Sequence, residues 1–237
     1  PRPARAAGAV RLITIGAPTT EIVYALGAGD LVVATDTTSR FPAAAAALPK
    51  VGYMRALAAE GLLSLAPTRI IAQEGSGPPE VLARVRDAGI AVDEVPERPD
   101  LATLDAKIAL IAARLGREAE GGRLATELHR RLDRPPQPAG LSALCLIHPG
   151  GGGWMAAGRD TVPDLLLRLA GARNAIDFSG IRPLSLEAAV AAAPELLVVS
   201  SSALAQAGGL DGLLALPHLA TTPAAAARRV AVLEAQM

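Results

Sequence analysis

Short apolar runs alternate with longer amphipathic stretches along this chain, and that alternation predicts its elements. Arg11-Leu12-Ile13-Thr14-Ile15 reads as a buried strand rich in β-branched residues. Gly16-Ala17-Pro18 breaks it. Thr19 or Thr20 is placed to cap a helix with apolar positions Ile22, Val23, Ala25 and Leu26, and Glu21 falls in its first turn. Gly27 and Gly29 end that helix, and residues 31–35 give the next strand. Strand, helix, strand is a βαβ unit and predicts a parallel sheet. The same alternation continues with a helix over 58–65, a strand over 69–72, a Gly/Pro loop over 73–79, a helix over 80–88 and a strand over 91–95.

Residues 100–132 carry the longest helical signal. Leu104, Ile108, Ile111 and Leu115 step by four and three, and Leu124, Leu128 and Leu132 continue the stripe. Asp100 or Thr103 can cap it, and Asp105 complements its amino-terminal dipole. Gly116 and the pair Gly121-Gly122 interrupt the pattern. Unbroken, such a helix has about 30 residues and a length of roughly 45 Å, enough to bridge two lobes. Arg134-Pro135-Pro136-Gln137-Pro138 ends it as a stiff linker. The expected organisation is an amino-terminal lobe over 1–100, an interlobe helix and linker over 101–134, and a carboxy-terminal lobe over 135–237.

The second half repeats the plan of the first. Strands are expected over 143–147, 154–157, 196–200 and 230–233, and helices over 161–169 and 186–192. LAAEGLLSLAPTRIIA from Leu57 and LSLEAAVAAAPELLVV from Leu184 align without a gap, so that Glu60 meets Glu187 and Pro67 meets Pro194. A duplicated α/β unit joined by one long helix predicts an α/β fold of two similar lobes with mainly parallel sheets and a ligand cleft between them.

Composition excludes more than it selects. Lys plus Arg number 23 and Asp plus Glu 23, so nothing favours a nucleic-acid or other polyanion partner. No apolar run reaches the roughly 18 residues of a membrane span. The opening PRPARAAGAV lacks the apolar middle of a signal peptide, so a leader is either absent or already removed. The single Cys145 lies in an apolar run and reads as a buried strand residue, which leaves no intrachain disulfide.

Candidate chemistry concentrates in Val51-Gly52-Tyr53-Met54-Arg55. The chain has only two tyrosines, two phenylalanines and one tryptophan, and Tyr24 fits a core position, so Tyr53 stands out. In an extended segment a guanidinium two positions from a phenol points to the same side. A cation favours the phenolate, and a phenolate is a hard oxygen ligand for ferric iron. The glycine run 150–153 lacks the Lys-Ser/Thr ending of a phosphate loop, which weakens the reading of a nucleotide-using α/β enzyme. His129, His148 and His218 are not spaced as a bare-metal ligand set, and His129 and His218 read as surface residues. No serine sits in a nucleophile elbow.

These words together resemble a known family. TTEIVYALGAGD, VGYMRALAAEGLLSLAP, EGSGPP, MAAGRDT, GARNAI and IRPLSLEAAVAAAPELLVV are similar to the substrate-binding proteins of bacterial haem ABC importers, of the class with a rigid interlobe helix. The helix–Ala-Pro–strand word is shared with ferric siderophore and cobalamin binders, and GYMR narrows the resemblance to haem. The resemblance implies a monomeric periplasmic protein that carries ferric haem to an inner-membrane permease and catalyses no reaction. It makes Tyr53 the axial iron ligand and Arg55 the cation on its phenolate. It also makes His148 and Arg182 candidate second-lobe haem contacts, and Glu60 and Glu187 the permease-docking carboxylates. Relatives usually add a closing helical segment where this sequence ends at Met237.

Overall fold

The computed structural model describes residues 10–133, 140–148 and 153–234, so the linker 134–138 and Gly150 to Gly152 lie outside the described residues. The chain divides into a first compact unit ending at Arg131 and a second beginning at Leu132.

In the first unit, β1 (Leu12–Ile15), β2 (Val32–Thr35), β3 (Arg69–Gln73) and β4 (Ala91–Val95) form a sheet in the order β2-β1-β3-β4, parallel throughout. The helices are α1 (Ala17–Ala25), α2 (Ala43–Ala46), α3 (Ala59–Ser64), α4 (Pro79–Asp87), α5 (Leu101–Leu115) and α6 (Glu118–Leu132). Strand side chains alternate between two cores, as a pleated sheet requires. Leu12, Ile71 and Val95 pack with Ile22 and Val23 of α1 and Ile108 and Ile111 of α5. Ile13, Ile15, Ile70 and Ala72 pack on the opposite face with Leu62 of α3 and Leu82 and Val85 of α4. Both faces of the central strands β1 and β3 are therefore covered, which explains their mainly apolar and buried residues.

Three expectations change here. The long helical signal is not one helix. Gly116, at φ 63° and ψ 40°, closes α5, and the Arg117 amide donates to the Ala112 carbonyl at 2.8 Å. The chain then turns back. A Cβ on Gly121 would lie 2.7 Å from the Ala112 Cβ, so only glycine lets α6 approach α5 this closely. His129, expected at the surface, shares its Nε2 with the Asp105 carboxylate at 2.9 Å and ties the far ends of the two helices. The second change concerns α1, which starts at Ala17 after Gly16 at φ 96°. Pro18 fits its first turn, so Thr19 and Thr20 lie inside the helix as buried residues rather than as caps, and Glu21 falls beyond the first turn. The third is the missed α2, within what reads as a polar connection.

The second unit contains β5 (Ser142–Ile147), β6 (Met155–Ala157), α7 (Val162–Leu169), β7 (Arg173–Asn174), β8 (Ile181–Pro183), α8 (Leu186–Ala192), β9 (Leu196–Ser200), α9 (Ser201–Gln206), α10 (Gly209–Leu214), α11 (Pro223–Ala226) and β10 (Val230–Leu233). Its sheet runs β10-β9-β5-β6-β8, with β7 also paired to β5. The pairs of β10 with β9, β9 with β5 and β5 with β7 are parallel, and β6 pairs antiparallel with both β5 and β8. This sheet is mixed, because the short return at β6 lets a neighbouring strand pair without a crossover helix. Leu144, Leu146, Leu197 and Val199 form one core with Leu213, Leu214 and Ala224. Ala143, Cys145 and Val198 pack under Leu167 of α7 on the other face. Burial pushes the Cys145 thiol up to about 11, in keeping with its reading as a strand residue. Thr161, Ser185, Ser200 and Thr222 each accept an amide hydrogen bond as helix caps, worth about 1 kcal/mol apiece. His218 is half-buried rather than on the surface; its Nε2 has no hydrogen-bond partner and burial lowers its pKa.

The duplicated word survives in the backbone. It builds α3–β3 in one unit and α8–β9 in the other, and Ala66 and Ala193, at matching places before Pro67 and Pro194, both adopt the left-handed region at φ 45° and 41°. That conformation costs an L residue about 1–2 kcal/mol, so its recurrence at equivalent alanines marks the same local construction twice.

Candidate functional site

Tyr53 lies on a turn fastened at both ends. On one side the Thr35 amide donates to the Pro49 carbonyl at 3.0 Å, the Val51 amide to Thr35 at 2.9 Å and the Thr37 amide to Gly52 at 2.9 Å. On the other side the Gly77 amide donates to the Met54 carbonyl at 2.9 Å and the Leu57 amide to Gly77 at 3.0 Å. Between these fasteners the Ala56 amide closes on the Tyr53 carbonyl at 2.8 Å. The segment is thus a turn and not the extended segment in which Tyr53 and Arg55 would point to the same side. Burial decides the orientation instead: Met54 and Leu57 are 7% and 5% exposed in the α3/α4 core, while Tyr53 is 49% exposed and Arg55 is also exposed. Gly52, at φ 104°, supplies the backbone conformation that lets the chain enter the turn.

The fasteners place this turn at a functional edge. Thr35 ends β2, and Gly77 lies in the loop after β3, so both anchors follow the carboxyl ends of parallel strands. Open α/β sheets bind ligands along that edge. The other tyrosine, Tyr24, packs partly buried against the α1/α5 core, as its apolar neighbours predicted.

In the second unit, His148 follows the carboxyl end of β5, and its ring meets Trp154 edge-on with centroids 4.9 Å apart and planes at 68°. Arg182 is exposed at the centre of β8, with its guanidinium carbon 5.0 Å from the Phe178 ring centre. Each candidate therefore rests on one of the few aromatic side chains in the chain. Sequence reasoning passed over Trp154 and Phe178, although their rarity was the signal that singled out Tyr53. Glu60 and Glu187 are exposed, each in the first turn of its helix. Hydrogen bonds from its own amide and from the Ser185 hydroxyl hold the Glu187 carboxyl below the usual carboxylate range.

A polar cavity of about 620 Å³ in the second unit, lined by Arg159, Asp164, Arg168, Arg173 and Asn174 among others, includes none of these candidates. Its buried carboxylate, Asp164, is occupied by Asn174 at 3.0 Å and Arg168 at 3.2 Å, which gives it a structural task. Among the described residues, no group of three or more His, Cys, Asp or Glu side chains is placed to hold a metal ion. Iron bound at Tyr53 would have to arrive with most of its ligands already in place.

The periplasmic binding protein family matches residues 12–237. The periplasmic heme-binding protein BhuT, in complex with two hemes, superposes with a TM-score of 0.88 at 38% identity, over 95% of this chain and 90% of that one. The apo periplasmic heme-binding protein RhuT from Roseiflexus sp. RS-1 gives a TM-score of 0.86 at 36% identity, over 95% and 89% of the two chains. A vitamin B12-binding protein of Vibrio cholerae is 37% identical over 84 residues, which span 35% of this chain and 30% of that relative's length.

Proposed function

The chain belongs to the periplasmic binding protein family, and on that footing we propose that it captures ferric haem, with Tyr53 as an axial ligand, for delivery to an ABC import permease. The observation that carries this reading is the exposed phenol on a turn fastened by backbone hydrogen bonds at both ends. A haem brings four porphyrin nitrogens to its iron and needs only an axial donor, which suits a surface without a ligand cluster. Tyrosinate is such a donor. Arg55, exposed two residues on, is the cation assigned to support the ligand.

The haem propionates call for cations. Arg182 is the second unit's candidate: its guanidinium is preorganised on Phe178 and can meet a carboxylate with two parallel hydrogen bonds. His148 is the second unit's other candidate haem contact, its ring edge-on against Trp154. Glu60 and Glu187 serve as docking charges for basic groups of the permease, since both are exposed and occupy one repeated position.

Cobalamin is the second reading, favoured by the vitamin B12-binding relative. That match covers 35% of the chain, whereas the heme-binding structures cover 95% at comparable identity, which favours haem. Absorption spectra during separate titrations with ferric haem, cobalamin and a ferric siderophore decide between them. A saturating Soret shift with haem alone is expected; saturation with cobalamin and none with haem would overturn the proposal.

A further inference from the structure

Beneath the Tyr53 turn lies a buried polar assembly that the haem reading does not use. Asp36 is fully buried just past β2. Its Oδ1 accepts from the Gly16 amide at 3.0 Å and the Ser39 hydroxyl at 2.7 Å, and its Oδ2 from the Thr38 amide at 3.0 Å and the Thr38 hydroxyl at 2.6 Å. Ser39 commits its only hydroxyl proton to Asp36, so the 2.7 Å contact between Thr20 and Ser39 has Thr20 as donor. The 2.7 Å contact between Thr14 and Thr20 then has Thr14 as donor. A directed chain Thr14–Thr20–Ser39–Asp36 results, and all four residues are fully buried.

Lys50 is seated on this assembly. Its ammonium has three protons, and each has an acceptor: Thr35 Oγ1 at 2.6 Å, the Ser39 carbonyl at 2.8 Å and the Ala45 carbonyl at 2.9 Å. These acceptors lie on the end of β2, on the loop after it and on α2. One side chain thus gathers the whole 35–50 excursion, and it stands three residues before Tyr53. The Thr35–Pro49 and Val51–Thr35 backbone bonds at the near end of the Tyr53 turn are made by Thr35, whose hydroxyl Lys50 holds. The Thr37–Gly52 bond starts from the residue between Asp36 and Thr38, which are tied to each other. The ammonium is partly desolvated, which lowers its pKa, while Asp36 acts in the opposite sense.

We propose that Lys50, seated on the Asp36 network, is a positioning residue that sets the Tyr53 turn in the geometry required for axial ligation of ferric haem. The inference rests on Tyr53 being the ligand. Supporting partners of metal ligands typically change affinity by about 10–100-fold, and Lys50 acts through the backbone of the turn.

The test uses the full chain, ferric haem, and the variants Lys50→Met, Tyr53→Phe and the double variant. Lys50→Met is expected to weaken haem binding about tenfold and to shift the tyrosinate-to-iron charge-transfer band, with unchanged far-ultraviolet circular dichroism. In the Tyr53→Phe background the same substitution should add little, because the two residues act as one unit. Wild-type affinity and band position in Lys50→Met would overturn the proposal. So would a loss that adds fully to that of Tyr53→Phe while the band stays in place. If Lys50→Met does not fold, Thr35→Val removes one of the three acceptors and is read the same way, with an unshifted band and wild-type affinity counting against the proposal. An unchanged affinity in Tyr53→Phe alone would instead remove the ligand assignment, so the two failures are distinguishable.

Discussion

The α3–β3 and α8–β9 segments are the same construction made with different materials. Each has a glutamate at the second helical position, a left-handed alanine before proline and a following buried strand. At the helix start the two diverge: Ser185 caps α8 through the Ala188 amide, whereas the matching Ala58 gives α3 no side-chain cap. Inside the helix, Leu62 and Ala189 hold the equivalent buried position with very different volumes. The sharpest divergence comes just upstream, where the first unit has the Tyr53 turn and the second has the exposed antiparallel strand β8 with Arg182. The shared part carries the proposed docking glutamates, and the divergent part carries Tyr53 in one unit and Arg182 in the other, both proposed haem contacts.

That division can be broken experimentally. The largest effect is expected from Glu60→Arg combined with Glu187→Arg: reconstituted transport should be lost while haem affinity stays within about twofold, since surface charges away from the ligand contribute little to its binding. A parallel loss of haem affinity would contradict the separation of docking from capture. Next, Leu62→Ala should cost about 2–5 kcal/mol in urea unfolding, whereas Ala189→Leu should cost about 1–3 kcal/mol by overpacking; equal tolerance at both sites would deny that the two helices are packed differently. The caps should differ in sign. Ser185→Ala is expected to lose about 1 kcal/mol and Ala58→Ser to gain a comparable amount or less, both read from unfolding midpoints.

The smallest effect is a pH dependence. The folded-state pKa of Glu187 lies below its ordinary 4.5, so its contribution to stability is present above that value and is lost as the pH falls through the folded pKa. Acid titration of the melting temperature should therefore show a shallow decline below about pH 4.5 that Ser185→Ala flattens. An identical acid limb in that variant would show that the hydroxyl does not hold the carboxylate.

Much of the frame was legible because periodicity and punctuation agree. β4, α8, β9 and β10 fall where the alternation of apolar runs and helical stretches predicts them. The helical hairpin was not legible, although Gly116 stood in plain view. Whether a glycine ends a helix or merely weakens it depends on what the chain can pack against afterwards. Here that is the close approach of Gly121 to Ala112, a tertiary fact. β7 and β8 were missed because two- and three-residue strands have no period to detect, and β8 is exposed throughout. Tyr53 was conspicuous by rarity and by its GYMR setting, but an extended segment was expected and the molecule makes a turn, with sidedness set by buried Met54. The Asp36–Lys50 assembly gave no sequence signal, since threonines, serines and a lysine in a loop read as solvated until three acceptors converge on one ammonium.

Titration of the full chain with ferric haem, beside Tyr53→Phe, tests the ligand assignment most directly. Wild type should give a saturating Soret shift with a tyrosinate charge-transfer band, and Tyr53→Phe should lose that band and bind on the order of 100-fold more weakly, a difference of about 2.8 kcal/mol. A variant with the wild-type spectrum and affinity would contradict Tyr53 as the residue that holds the iron.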